Sequence, residues 1–190
     1  DGIAWRTLPG THPTKGAYFT RGSTRDAQAR YSESGHDYVY NVQRLLAKFA
    51  TAATLVPQPV LRPAPKKTRL GVIYFGSTSP ALREALDALQ EGGIALDSMR
   101  LRAFPFPASV AEFIAAHDTV FVVEQNRDAQ MRTLLVNELE IDPARLVPVL
   151  HYDGTPITAR FITGAIRQKV AALAVKPRRR KPAAASPATV

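Results

Sequence analysis

Leu70-Gly71-Val72-Ile73-Tyr74-Phe75-Gly76-Ser77-Thr78-Ser79-Pro80-Ala81-Leu82 is the stretch on which the fold turns. Its first six residues form a short β-branched and aromatic run bounded by glycine, as expected of a strand. Ser79-Pro80 then reads as an N-cap followed by proline at the first helical position, where the missing N–H goes unmissed. Leu82, Leu86 and Leu89 fall on one face of the ensuing helix, and Gly92-Gly93 ends it. A strand that feeds directly into a helix is the repeating half of a parallel α/β sheet.

The same alternation continues downstream. Ile94 to Leu101 reads as a second strand with Leu96, Met99 and Leu101 pointing inward, and Phe104-Pro105-Phe106-Pro107 breaks the chain. Ser109, with Glu112 three residues on, reads as a capping box for a short helix carrying Phe113. Thr119-Val120-Phe121-Val122-Val123 is a continuous apolar run, the pattern of a strand covered on both faces. A helix with Met131, Leu134, Leu135 and Leu139 follows, then a strand from Leu146 to Leu150. Thr158 caps a last helix with Ile162, Ile166, Val170 and Leu173 on one side. Four β–α units in order specify an α/β fold: an open, mostly parallel sheet with flanking helices and right-handed crossovers.

Outward from this body the composition changes. Residues 56–66 hold four prolines, which favour extended geometry and read as a semi-rigid linker. Val39, Val42, Leu45, Leu46 and Phe49 mark an upstream helix ending near Ala53, and residues 1–36 are loop-like, rich in Gly, Thr, Ser, His and Arg. Beyond Lys176 basic residues alternate with Pro, Ala and Ser, a composition too poor in apolar groups to order itself. The expected domains are 1–54, a linker at 55–68, an α/β domain at 69–173 and a disordered basic tail at 174–190. The chain opens on Asp1-Gly2 without an initiator methionine, which reads as an interior cut in a longer protein.

The formal net charge is +9 over 190 residues, and its location matters more than its size. Residues 66–175 carry twelve charges of each sign, whereas 176–190 carry five basic residues and no acid. The body is neutral and the charge lies on its flanks, so a nucleic-acid-binding domain is not expected. No apolar run approaches the roughly 18 residues of a membrane span, and a cytoplasmic location is expected. Zero Cys excludes disulfides, thiol catalysis and iron–sulfur ligation by this chain.

Three clusters are candidates for chemistry. Ser77 and Thr78 sit in the turn after the first strand; an ordinary tight turn with a good cap is the preferred reading, the alternative being contact with a small anion, which backbone N–H groups and a helix dipole favour there, or with a partner subunit. Glu124, Asn126 and Arg127 lie at the carboxyl end of the third strand, where open α/β sheets place ligands. There the alternative is structural: Asp128 or Asn126 caps the next helix and Arg127 pairs with a neighbouring acid. His12, Lys15 and Arg21 form the densest polar loop, suited to a carboxylate or phosphate, or else a structural loop. The four histidines lack the spacing of a metal site, so no metal site and no catalytic residue are assigned.

Leu8-Pro9-Gly10-Thr11-His12-Pro13-Thr14-Lys15-Gly16-Ala17-Tyr18-Phe19-Thr20-Arg21-Gly22, Gly71 to Thr78, Leu101 to Phe106 and Val122 to Gln130 together resemble the alpha subunit of bacterial 2-oxoacid:ferredoxin oxidoreductases, the 2-oxoglutarate enzymes in particular. The resemblance runs in order from residue 1 to about residue 165, as a C-terminal portion of such a subunit. It implies a thiamine-diphosphate enzyme that converts a 2-oxoacid and coenzyme A to acyl-CoA and CO2 and passes electrons to ferredoxin. It also implies that residues 1–54 are the end of a pyrimidine-binding domain and that 69–173 is transketolase C-terminal-like. A beta subunit would hold the diphosphate, its Mg and a 4Fe–4S cluster. The family's Tyr-Pro-Ile-Thr-Pro-type and Gly-Pro-Ser-Thr-Gly loops and its thiamine-contacting glutamate are absent, so the catalytic residues are expected upstream of Asp1. The His12, Lys15 and Arg21 loop would then lie near the active-site entrance or a subunit contact. The segment alone is expected to be inactive, mainly scaffold and subunit interface. The alternative is a free-standing α/β module binding a nucleotide or coenzyme A.

Overall fold

A computed structural model describes residues 1–5, 8, 10–16 and 22–175. Arg21 and the tail beyond residue 175, to which a basic disordered end was assigned, lie outside the described residues. The chain divides into two compact units, Asp1–Pro59 with Arg102–Glu112, and Val60–Leu101 with the chain from Phe113 onward.

The first unit contains a hairpin, β1 (Thr24–Arg25) and β2 (Tyr31–Ser32), and a long helix, α1 (Gly35–Leu55). The hairpin lies where the sequence suggests only loop. Its turn is local chemistry: Asp26 Oδ1 accepts from the backbone N–H of Gln28 and Arg30, and Ala29 takes a left-handed conformation. The polar face of α1 is the one covered by the unit's own chain. Asn41 Nδ2 donates to Thr24 Oγ1 (2.7 Å) and Arg25 O (2.8 Å), Arg44 to Gly2 O (3.1 Å), and Thr51 Oγ1 to Asp1 O (2.6 Å). Gly2, at φ +73°, presses so close that a Cβ would stand 2.3 Å from Lys48 N. The apolar stripe read from the sequence is largely exposed, with Val39, Leu46 and Phe49 all more than half exposed although the Phe49 ring lies 6.4 Å from that of Phe104, and none of the helix's 21 residues is buried.

The second unit is a five-stranded sheet. Its strands are β3 (Val60–Arg62), β4 (Leu70–Phe75), β5 (Asp97–Leu101), β6 (Thr119–Glu124) and β7 (Leu146–Leu150), in the spatial order β3-β5-β4-β6-β7. All neighbours are parallel except β3, which runs antiparallel to β5. The Pro-rich stretch read as a linker thus supplies an edge strand. Pro59 and Pro63 flank the three paired residues, and their missing N–H groups limit further growth of that edge. The helices of the described chain after β4 are α2 (Ser79–Glu91), α3 (Ala108–Ala116), α4 (Gln130–Leu139) and α5 (Ala159–Val175).

Strand parity sorts the core. Val72, Tyr74, Phe121, Val123 and Val149 pack with Leu82, Leu86 and Leu89 of α2 and Ile162 and Ile166 of α5 in one cluster. Each such buried Leu or Ile contributes about 1.5–3 kcal/mol. β6 is buried at every residue, as its unbroken apolar run requires. Thr158 caps α5 as expected, its hydroxyl accepting from Phe161 N at 3.2 Å.

Two expected caps are corrected. Ser79 is not an N-cap, because Gly76–Thr78 form a 3-10 turn, Ser79 N donates to Gly76 O, and Ser79 is already helical. Gly76, at φ +57°, starts the turn early, a route its lack of a side chain opens. Ser109 lies inside α3, its hydroxyl buried without a partner; the first turn is closed by Val110 N donating to Pro107 O instead.

Gly71 marks where the sheet admits no side chain. A Cβ there would meet Phe113 at 3.0 Å and His117 at 3.1 Å, two rings already stacked 4.4 Å apart. Gly71→Ala is expected to lower stability by about 1–3 kcal/mol through overpacking. Urea denaturation checks this; an unchanged midpoint at unchanged slope would contradict it.

Candidate functional site

The parallel strands reverse their order of addition between β4 and β6, with β5 to one side and β7 to the other. Ligands of open α/β sheets bind at such a switch point, outside the carboxyl ends of the strands. A cavity of about 490 Å³ lies there, lined by Gly76, Ser77, Thr78, Gln125, Asn126 and Met131 among others. The fold therefore does bring the Ser77–Thr78 turn beside the Glu124–Arg127 cluster. The bridge between them is Gln125, which is not among the sequence candidates. Its Nε2 donates to Ser77 Oγ (3.1 Å) and Thr78 Oγ1 (3.2 Å).

Glu124 is fully buried and faces inward. Its Oε2 accepts from Asn126 Nδ2 (2.8 Å) and Met131 N (2.7 Å), and its Oε1 from Arg132 N (3.0 Å). The carboxylate is thus the cap of α4, supplied by the end of a strand rather than by the residue before the helix. The helix's unpaired N–H groups and the positive end of its dipole compensate a charge that would otherwise be costly to bury. Ala129, which precedes the helix, has no side chain to cap with and sits in a left-handed conformation (φ 51°, ψ 46°).

The neighbouring groups are similarly engaged. Asn126 Oδ1 accepts from Asp128 N and Gln130 N, and Arg127 Nε donates to Asp128 Oδ1 at 2.7 Å. Arg132 reaches back to Leu146 O (2.7 Å) and Pro143 O (2.8 Å), pinning α4 to the start of β7.

His117 and His151 hold structure. His117 is buried; its Nδ1 lies 2.6 Å from Phe113 O and its Nε2 2.9 Å from Asp97 Oδ2. No sequence signal links these positions, because they are brought together only by the sheet. His151 is buried edge-on to Phe161, with Nε2 3.4 Å from Asp153. The Thr155 backbone N–H, then its hydroxyl, hold the Asp153 carboxyl below its ordinary range. Any stability from that contact is present above the unfolded pKa and lost as pH falls through the folded one.

In the first unit, His12 closes its own loop. Its Nδ1 accepts from Lys15 N at 3.0 Å and Thr14 N at 3.2 Å, and its carbonyl from Gly16 N. Lys15 also lines a cavity of that unit.

The protein class that this geometry defines is an open, mostly parallel α/β domain with an extra antiparallel edge strand. The chain is 29% identical over 101 residues to the alpha subunit of 2-oxoacid:ferredoxin oxidoreductase 2 of Aeropyrum pernix, across 52% of this chain and 15% of that subunit. In fold it is similar to the 2-oxoglutarate:ferredoxin oxidoreductase of Magnetococcus marinus, a structure with 2-oxoglutarate, coenzyme A and succinyl-CoA bound. The TM-score is 0.75 at 20% identity, across 89% of this chain and 29% of that one. No family model matches. The resemblance to these alpha subunits is borne out, and the chain spans less than a third of the length of either relative.

The described residues do not fit the cofactors of such enzymes. The chain has no Cys for a cluster, and no described group of three His, Asp or Glu residues could hold a metal ion. The crevice's buried carboxylate already accepts three hydrogen bonds. Among the described residues, no helix is long and apolar enough to cross a membrane.

Glu124→Gln keeps the shape but removes the charge and one acceptor. A loss of about 1.5–3 kcal/mol in folding stability is expected, the range for hydrogen bonds to a charged group. Thermal and urea melts check this; wild-type stability would contradict the capping role.

Proposed function

We propose that the chain is part of the alpha subunit of a thiamine-diphosphate-dependent 2-oxoacid:ferredoxin oxidoreductase, with 2-oxoglutarate as the 2-oxoacid. The complex would release acyl-CoA and CO2 and reduce ferredoxin in the cytoplasm. The observation that carries this reading is the agreement of sequence and fold likeness on one enzyme class. On this reading residues 1–54 close a pyrimidine-binding domain, 69–173 form the transketolase C-terminal-like domain, and 174–190 are a basic tail. Thiamine diphosphate, Mg and the 4Fe–4S cluster then belong to the assembled enzyme, the metal and cluster to a beta subunit.

The role of this segment is scaffold and subunit interface. Two observations support it: the crevice carboxylate is consumed as a helix cap, and α1 carries an apolar stripe that its own unit leaves largely exposed. The loop of His12, Lys15 and Arg21 belongs at a subunit contact or substrate entrance.

The switch-point cavity of about 490 Å³ favours one other reading, a free-standing module that takes a nucleotide or coenzyme A there. The two readings separate experimentally. The purified chain, given thiamine diphosphate, 2-oxoglutarate, coenzyme A and ferredoxin, is expected to reduce no ferredoxin, and to copurify with a Cys-rich beta chain when the two are coexpressed. Turnover by the chain alone would overturn the scaffold role. A saturable rise in melting temperature with coenzyme A, without copurification, would favour the module.

A further inference from the structure

Among the described residues, no ionisable side chain lines the switch-point cavity. The charges nearest to it in sequence are engaged with partners of their own. The Glu124 carboxylate accepts from Asn126, Met131 and Arg132, and Arg127 pairs with Asp128. The same bonds occupy the first turn of α4, where Gln130 N also donates to Asn126 Oδ1 at 3.2 Å. An anion gains little there, because the positive end of α4 already faces a buried carboxylate.

The remaining groups suit an uncharged ring. Phe75, Met131 and Leu134 are half-buried and give the cavity an apolar wall. Aromatic and thioether groups make favourable contacts with flat rings. On the polar side, the Gln125 amide bridges the hydroxyls of Ser77 (3.1 Å) and Thr78 (3.2 Å). A hydroxyl both donates and accepts, so this amide can turn over without losing either contact and show a ligand its carbonyl or its NH2. Gln130 brings a second, exposed amide. A glutamine amide matches the adjacent donor and acceptor on the edge of adenine. The cavity's volume of about 490 Å³ lies in the range of small-molecule sites, about 300–1,000 Å³. We propose that this cavity binds the adenine ring of an adenosine group, the part that an adenine nucleotide and coenzyme A share, and leaves any phosphates outside. The proposal rests on the module reading in one respect only, that this cavity receives a ligand.

The full chain, labelled with nitrogen-15, would be titrated with adenosine, with glycerol phosphate and with coenzyme A, and followed by two-dimensional NMR. Adenosine is expected to shift the side-chain amides of Gln125 and Gln130 and the backbone amides of Ser77 and Met131 saturably. Because the ligand is uncharged, salt should leave its affinity within about twofold, and glycerol phosphate should move none of these signals. Gln125→Leu, at an exposed position, is expected to weaken adenosine binding about tenfold. Circular dichroism confirms that the variant is folded, and the titration of the unmodified chain tests the site without any variant. No saturable shift with adenosine up to about 10 mM, or unchanged affinity in Gln125→Leu, overturns the proposal. Shifts with coenzyme A or glycerol phosphate but not with adenosine would overturn it and leave the module reading in place. Shifts with adenosine but not with coenzyme A would support it and remove coenzyme A from that reading.

Discussion

The carboxylate of Glu124 is the constraint on which the second unit depends. It ends β6, which pairs with β4 on one side and β7 on the other, and it starts α4 by accepting two of that helix's leading N–H groups. One buried side chain thereby sets where the strand stops, where the helix begins and what faces the switch point. The backbone carbonyl of the same residue accepts from His151 N at 2.9 Å, tying the end of β7 to this junction. An ionised group in such surroundings is tolerated only while all its partners are present. That dependence also removes it from the chemistry available at the crevice, which is left with hydroxyls and neutral amides.

The first unit is organised on the opposite principle. α1 spends its polar face internally, on Gly2, Thr24 and Arg25, and shows its apolar stripe. A helix that hydrogen-bonds along its polar side and exposes Val39, Leu46 and Phe49 gains little from burial within its own unit. This inverted amphipathicity is the physical content of the scaffold-and-interface reading.

Much of the α/β body was legible because its signals are redundant. The apolar run of β6, the leucine spacing of α2 and the Thr158 cap each follow from side chains within one element. What was not legible depends on the path of the backbone. The 3-10 turn at Gly76 moves the helix start, two-residue strands carry no periodicity, and β3 is recognisable only once β5 lies beside it. At the site, the sequence placed Glu124, Asn126 and Arg127 together at the end of one strand. It did not say that the carboxylate points inward, although strand parity held the clue: Val120, Val122 and Glu124 share one face of a strand buried throughout.

Amide hydrogen exchange at Met131 and Arg132 tests the capping role of Glu124 most directly. If the carboxylate closes the start of α4, these two amides exchange as slowly as those of β4 and β6, and Glu124→Gln releases them well before the sheet opens. Fast exchange at Met131 and Arg132 in the unmodified chain, alongside a slowly exchanging sheet, would contradict it and leave the helix end free to receive a ligand.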